Sequence, residues 1–301
     1  MLGRRQIREK VVEALYSYYQ NPVSHDVLEK NMITEIGKIY HLYIYEINFL
    51  VALKDLAQQQ MDIAKKKYFR TASEENPNEK FIENQVLLQL ENNNERIEFT
   101  AKHKELSWDL HDELLVKTFQ KIVAGKRYND YMNDPERSFD TDQKFIGKLF
   151  LKYVAENDDF HARMEEKEMS WSDDLHITNS MLQKTIGFMK EGQQQHTLIK
   201  MLKDEEDEKF ARRLLRLCLT NWEVSEQKLK EKLQNWEIER VSLMDKIILV
   251  AAITELDQFP ATPSRIIINE YIEIAKAFAT DKSHIFVNGI LDKYTKELNR
   301  I

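Results

Sequence analysis

Apolar residues near the end of the sequence recur at the spacing expected of two consecutive helices. In the first, Ile268, Ile272 and Ala275 fall on one side, and Tyr271 widens this apolar face. A second stripe follows at Val287, Ile290, Leu291 and Tyr294. The pattern therefore predicts a helical hairpin, over residues 262–293, that buries one side of each helix.

Gly289 lies inside the second predicted helix. A glycine in a helix interior costs about 1 kcal/mol relative to alanine. We therefore expect another backbone to approach the helix closely at this position.

Residues 4–20 predict a third helix, with Ile7, Val11 and Leu15 on its buried side. Three arginines, at positions 4, 5 and 8, crowd its first two turns. Cations at a helix N-terminus oppose the helix dipole. Two interpretations stay open from the residues alone: a solvated, slightly frayed helix end, or charges kept for an anionic partner.

The rest of the chain also has helical periodicity. Residues 24–70 predict one or two deeply packed helices, and residues 243–256 predict a helix that is apolar on one side. The clearest loop is residues 71–79. With seven Gly, five Pro and 32 % charged residues in 301, the sequence indicates an all-α fold.

Charge and cysteine content restrict the functional classes. A formal net charge of −7 argues against nucleic-acid binding by bulk attraction, so any such site must be a local basic cluster. The single cysteine, Cys218, excludes an intramolecular disulfide framework. We find no apolar signal core or membrane-spanning stretch, and we expect a soluble cytoplasmic protein without membrane contact.

Two short segments combine imidazole and carboxylate groups, around His111 and around His176. Neither has the paired histidines, four residues apart, that would bring ligands together on one helix face. Helix N-caps formed by Ser170, Asp173 or Asp174 explain the second segment more simply. We therefore predict no metal site, no cofactor and no catalytic residue.

The string INEYIEIAKAFATDKSHIFVNGILDK, residues 268–293, resembles the signature of the NusB family of transcription antitermination factors. Residues 4–20 resemble the arginine-rich opening helix of the same family. The resemblance implies paired all-helical bundles, with the N-terminal bundle enlarged by a helical insertion over about residues 40–200. We accordingly expect an N-terminal helical region at 1–205 and a NusB-like bundle at 206–301.

The resemblance also implies a function without catalysis. Members of the family bind the boxA element of ribosomal RNA transcripts together with NusE, a small-subunit ribosomal protein, and help RNA polymerase to elongate through rRNA operons. At matching positions, the RNA surface would involve Arg4, Arg5, Arg8, Tyr16 and Lys282. Arginine suits this role because its planar fork binds phosphate and stacks on unpaired bases.

Three further residues are candidates for a partner surface. Asp245 corresponds to an acidic position that faces NusE, and Phe278 and Phe286 flank the turn that carries Lys282. Both phenylalanines are candidates for partner contact, although a core position is their default. The resemblance leaves a homodimer open.

Two other functions compete with this one. NusB-like modules also occur in rRNA cytosine methyltransferases, but this sequence has no GxGxxG-type loop, and Cys218 falls in a core-like helix. A protein-interaction scaffold, in which the arginines are only structural, is the second alternative.

Overall fold

The computed structural model describes residues 3–69, 71–193, 195, 198–200, 202, 205–233 and 238–297, apart from the side chains of residues 72 and 73. These residues form helices and connecting turns, with no strand among them, which confirms the all-α prediction. They divide into two compact units: residues 1–36 with 202–301, and residues 37–201. No helix in the described ranges has the length and apolarity needed to cross a bilayer.

The first unit is discontinuous in sequence. Its helices are α1 (Arg4–Gln20), the start of α2 (His25–Lys65), α11 (Glu205–Thr220), α12 (Trp222–Lys232), α13 (Leu243–Gln258), α14 (Ser264–Phe278) and α15 (Ser283–Glu297). A 3₁₀ turn at Ile238–Arg240 precedes α13. Helix α1 therefore packs with the C-terminal helices, whereas the expected division had grouped it with residues up to 205.

Helix α13 is the centre of this unit. It packs against α1, α11, α12, α14 and α15, and residues 247–256 are buried without interruption. The prediction of a single apolar side was therefore wrong for this helix. A helix surrounded by others has no solvent-facing side and needs no polar stripe.

The second unit contains the remainder of α2 and eight shorter helices. These are α3 (Ala72–Glu75), α4 (Gln85–Glu91), α5 (Asn94–Lys102), α6 (Glu113–Val123), α7 (Lys126–Asn133), α8 (Phe139–Phe150), α9 (Asp158–Lys167) and α10 (Trp171–Phe188). A 3₁₀ turn occupies Lys104–Leu106, and a π-helical segment, Leu151–Ala155, extends α8. The predicted deep packing of residues 24–70 is confirmed for the middle of α2, where residues 42–54 are all buried, but not for residues 58–69, which are half-buried or exposed.

The caps of the helices in this unit agree only in part with the expectation. Ser170 is the N-cap of α10, but its side chain makes no capping hydrogen bond, and Asp173 and Asp174 lie in the first turn. Asp112 instead caps α6 by accepting hydrogen bonds from the amides of Leu114 and Leu115. The predicted N-cap position of Ser170 is therefore confirmed, although its side chain does not cap, and Asp173 and Asp174 are not N-caps.

Gly289 in α15 is exposed, and a Cβ built on it meets no atom within 4 Å. The expected close approach of another backbone was therefore wrong. We predict that Gly289→Ala raises the free energy of unfolding by up to about 1 kcal/mol, because alanine is the better helix former. Urea denaturation followed by circular dichroism measures this change.

Gly125→Ala is the matched control. A Cβ at Gly125 would lie 2.9 Å from the Tyr153 hydroxyl and 3.1 Å from the Ile122 carbonyl oxygen, so no gain is expected there. A stability loss in Gly289→Ala would contradict the open environment of that position.

Glu46, in the middle of α2, is fully buried. Thr178 Oγ1 donates a 2.7 Å hydrogen bond to its Oε1, while Oε2 has no partner among the described residues. Burial raises the pKa of this carboxyl well above its usual range, so it is protonated in the folded protein under conditions in which it ionises in the unfolded chain.

The raised pKa of Glu46 determines the direction in which its contribution to stability changes with pH. Because the folded pKa is the higher one, the contribution of Glu46 is fully present below the unfolded pKa, about 4.3, and is lost as pH rises through the folded pKa. We predict that Glu46→Gln gains stability relative to the wild type as pH rises. Thermal unfolding at a series of pH values measures the difference, with Glu165→Gln on the exposed surface of α9 as the control. A pH-independent difference for Glu46→Gln would refute the buried neutral carboxyl.

Candidate nucleic-acid interface

The N-terminal end of α1 is basic, and no acidic residue of the helix itself lies beside these charges in the first turn. Its N-cap, Gly3, offers no side-chain hydrogen bond. Ile7, Val11 and Leu15 are completely buried, as the apolar stripe predicted. This burial fixes the helix on α11, α13 and α14 and thereby determines where its arginines point.

Arg8 points inward. Its side chain is 2 % exposed, and Nε and Nη2 donate hydrogen bonds of 2.8 and 2.5 Å to the two carboxylate oxygens of Glu255 on α13. Tyr271 on α14 donates a third bond, of 3.0 Å, to the same carboxylate. Arg8 therefore does not face solvent, and its predicted contact with RNA is corrected to a structural role.

The ionisation of this buried group follows from its partners. Burial lowers the pKa of the Arg8 guanidinium, but the hydrogen bonds and charge of Glu255 outweigh this effect, and the net pKa is raised. Burial, and then the charge of Glu255, raises the pKa of Tyr271 far above its usual value. Arg8 and Glu255 are thus an ion pair, and Tyr271 keeps its proton.

Arg4 and Arg5 lie at the surface on either side of Arg8. The Arg5 side chain is 40 % exposed, and its Nε and Nη2 donate bonds of 2.9 and 3.2 Å to Glu270 on α14. Arg4 is 52 % exposed, lies 3.6 Å from Asp207 and packs over the ring of Phe210. Each is held by one carboxylate and keeps donors directed to solvent, because a guanidinium has five N–H groups.

Tyr16 shares a face of α1 with Arg5. Eleven residues separate them, which is about three helical turns, so the two side chains differ by about 20° in direction and lie about 16 Å apart. Tyr16 is 36 % exposed, and its hydroxyl accepts a hydrogen bond from Gln20. This face of α1 thus presents a cation and an aromatic ring to solvent.

Lys282 is exposed in the turn before α15, and its carbonyl oxygen accepts hydrogen bonds from the amides of Ile285 and Phe286. It lines a cleft of about 350 Å³ together with Asp245 and the half-buried Phe286. The structure therefore brings three of the predicted residues together. Phe278, the last residue of α14, is half-buried and is not among the residues that line this cleft.

Asp245 has a clear local role. It is 8 % exposed, and Ser242, the N-cap of α13, donates a 2.8 Å bond to its Oδ2 and accepts a bond from its amide. The pair differs from a capping box, because Asp245 accepts from the Ser242 hydroxyl and not from its backbone N–H, but the three-residue spacing that allows it is visible in the sequence. Its Oδ1 is buried and has no partner among the described residues.

Among the described residues, one group approaches the arrangement of metal ligands: His41, His103 and Glu105. Their ligating atoms lie within 4.8 Å of one another, compared with about 3.4 Å in a tetrahedral zinc site with Zn–N distances of about 2.1 Å. Burial, followed by the neighbouring His103, lowers the pKa of His41.

Cys218 is fully buried in α11, and burial raises its pKa far above the usual value. A reactive cysteine needs an accessible thiolate, so this thiol is unsuited to nucleophilic chemistry.

Comparison with known proteins gives a family for part of the chain. Residues 175–296 match the model of the NusB family. The match begins within α10, covers α11–α15 and does not include α1. The link between α1 and the matched helices comes from the structure, in which α1 packs on α11, α13 and α14.

Three relatives named transcription antitermination protein NusB illustrate the similarity. The Aeromonas salmonicida protein is 55 % identical over 60 residues, which is 20 % of this chain and 44 % of the relative. The Geotalea daltonii protein is 42 % identical over 89 residues, 30 % of this chain and 61 % of the relative. The Lysinibacillus sphaericus protein is 38 % identical over 69 residues, 23 % and 54 % respectively. The chain thus spans about half the length of the curated relatives it matches.

The buried ion pair gives a stability prediction. Arg8→Met should lower the free energy of unfolding by about 3–5 kcal/mol, because it leaves the Glu255 carboxylate buried without its countercharge. Urea denaturation monitored by circular dichroism measures the loss. The double variant Arg8→Met, Glu255→Leu should recover part of it, since neither charge then remains.

Lys30→Met, an exposed position in the same unit, is the control and should change stability by no more than about 0.5 kcal/mol. A loss below about 1 kcal/mol for the single Arg8 variant would contradict the structural role of the pair.

Proposed function

We propose, on the premise that residues 175–296 form a NusB family domain, that the chain is a transcription antitermination factor. Its action would be to bind RNA and protein partners without catalysis. The observation that carries this proposal is the position of Arg4 and Arg5: α1 packs on the family helices and keeps both guanidinium groups at the surface.

The geometry of Arg5 suits an RNA phosphate. Glu270 takes the bonds from Nε and Nη2 and so fixes the plane of the guanidinium. Nη1 and the second N–H of Nη2 remain on the outer edge, which matches two phosphate oxygens. The preformed ion pair reduces the entropy lost on binding, because the side chain is already oriented.

Tyr16 extends this surface along α1. An unpaired base stacks on an exposed aromatic ring, while the arginines bind the backbone on either side of that base. A spacing of about 16 Å between Arg5 and Tyr16 corresponds to a few nucleotides of extended single strand. We therefore propose Arg4, Arg5, Tyr16 and Lys282 as contacts to a boxA-type RNA.

The cleft lined by Lys282, Asp245 and Phe286 is the proposed place for a protein partner, NusE. It combines an exposed cation, a buried carboxylate oxygen and a half-buried aromatic ring, a mixture found in protein interfaces. Phe278 stays in this proposal as an edge contact. The complex that RNA and NusE form with this chain would then act on RNA polymerase during transcription of rRNA operons.

Titration of a boxA-containing RNA, with and without NusE, tests the proposal. We expect weak binding by the chain alone and tighter binding with NusE. Replacing Arg4 and Arg5 by glutamine should weaken RNA binding by on the order of tenfold. It should also make the dependence of log K on log salt concentration shallower by about 1.4, for two phosphate contacts on a single strand.

The control variant is Lys30→Gln with Lys230→Gln, which removes the same charge from exposed positions in the same unit. Lys230 is paired with Glu226, as Arg5 is with Glu270, so loss of an ion pair is matched too. Unchanged RNA affinity in the Arg4/Arg5 variant would favour the scaffold function instead.

A further inference from the structure

The second unit carries a basic cleft that the family domain does not include. Four cations line it: Lys126 and Arg127 at the start of α7, Lys148 near the end of α8, and Lys152 in the π-helical segment that follows. All four side chains are exposed. The cleft, of about 570 Å³, has a single carboxylate in its lining, that of Asp130.

These cations are not neutralised within the fold. In the part of the chain that the structure describes, none of the four forms an ion pair. Two nearby lysines do: Lys121 in α6 is paired with Asp159, and Lys144 in α8 is paired with Asp140. Lys152 lies over the ring of Tyr153, and Arg127 makes only a long, 3.5 Å bond to the Lys148 carbonyl oxygen. In a chain with a net charge of −7, such a cluster is a local exception.

Two features of the four charges are unfavourable in helices, although Lys148 and Lys152 lie at C-terminal ends, where the helix dipole favours cations. Lys126 and Arg127 occupy the first turn of α7, which has no acidic residue and whose dipole repels cations. Lys148 and Lys152 are four residues apart, a spacing at which like charges on a helix repel one another. An anion bound in the cleft would offset both the unfavourable dipole interaction in α7 and the repulsion between Lys148 and Lys152.

The backbone around the cleft is also specialised. Gly125 comes so close to Tyr153 that a Cβ would lie 2.9 Å from the tyrosine hydroxyl, so a larger residue would require this ring to shift. Lys152 and Tyr153 lie on a π-helical segment, and such segments are rare and frequently occur at functional sites.

We propose that this cleft binds the phosphate backbone of single-stranded RNA. The inference rests on the proposed function, in which the chain binds RNA, and adds a second contact in the second unit. The four cations line a cleft rather than a flat face, a shape that suits a strand better than a membrane surface. Among the described residues that line the cleft there is no exposed aromatic ring, so it would bind backbone without reading sequence.

The test uses the full chain with two RNAs, one containing boxA and one an oligouridylate without it. Replacing all four cations by glutamine should weaken binding of both RNAs by a similar factor, on the order of tenfold at near-physiological salt. The slope of log K against log salt concentration should become shallower by up to about 2.8, for four phosphates. Circular dichroism verifies that the variant is folded.

The matched control replaces Lys66, Lys102, Lys104 and Lys184 by glutamine, four exposed cations elsewhere in the same unit. Both variants change the net charge equally, so equal weakening of RNA binding would show a bulk charge effect and overturn the cleft. Vesicles of phosphatidylcholine and phosphatidylserine provide the other arm. Binding to them that only the cleft variant loses, with unchanged RNA affinity, would also overturn the proposal.

Failure of this inference is separable from failure of the proposed function. If the Arg4/Arg5 variant loses RNA affinity and the cleft variant binds as the wild type does, the cleft proposal falls and the proposed function stands. If the wild-type chain binds neither RNA, both fall.

Discussion

The first unit depends on one buried ion pair. Arg8 and Glu255 are separated by 247 positions in sequence, yet they meet in the core where α1 crosses α13, and Tyr271 ties α14 to the same carboxylate. Neither charge is tolerable there without the other, because an uncompensated ion in a low-dielectric core costs several kcal/mol. The pair can therefore form only if the N-terminal helix α1 packs against the C-terminal helices.

The same pair determines what the other two arginines can do. On a helix, Arg4 and Arg5 project about 40° and 60° to either side of Arg8. Once Arg8 is directed into the core, its two neighbours must lie at the rim of the buried face, where Asp207 and Glu270 hold them half-exposed. A cluster of three arginines thus becomes one structural residue and two that remain available to an anion.

The spacing of apolar residues was sufficient to predict the helices, but it did not predict which polar side chains are buried and which are exposed. The stripe of Ile7, Val11 and Leu15 and the deep packing of α2 follow from apolar spacing, which is local information. The burial of Arg8 depends on a partner far away in sequence, so no pattern around position 8 could reveal it. Asp245 is different, since its partner Ser242 lies only three residues away, a spacing that is visible in the sequence.

Gly289 and the basic cleft show two further limits. A glycine inside a helix indicates a close approach only when something approaches, and the structure has open space there. Lys126 and Lys152 are each unremarkable in sequence and acquire meaning when α7 and the end of α8 bring them to one cleft. Charge clusters formed across helices are tertiary features, and composition reports only their sum.

That sum is negative, and this fact has a consequence for RNA recognition. At physiological ionic strength the field of an exposed charge is screened over about 8 Å. A chain with net charge −7 therefore repels RNA weakly at long range and attracts it only where cations outnumber carboxylates within that distance. Such a protein gains little from non-specific attraction, and its affinity resides in a few local clusters. Each cluster neutralises only a few phosphates. Removing one cluster should therefore reduce the slope of log K against log salt concentration by a fixed amount, rather than abolish the attraction as a whole.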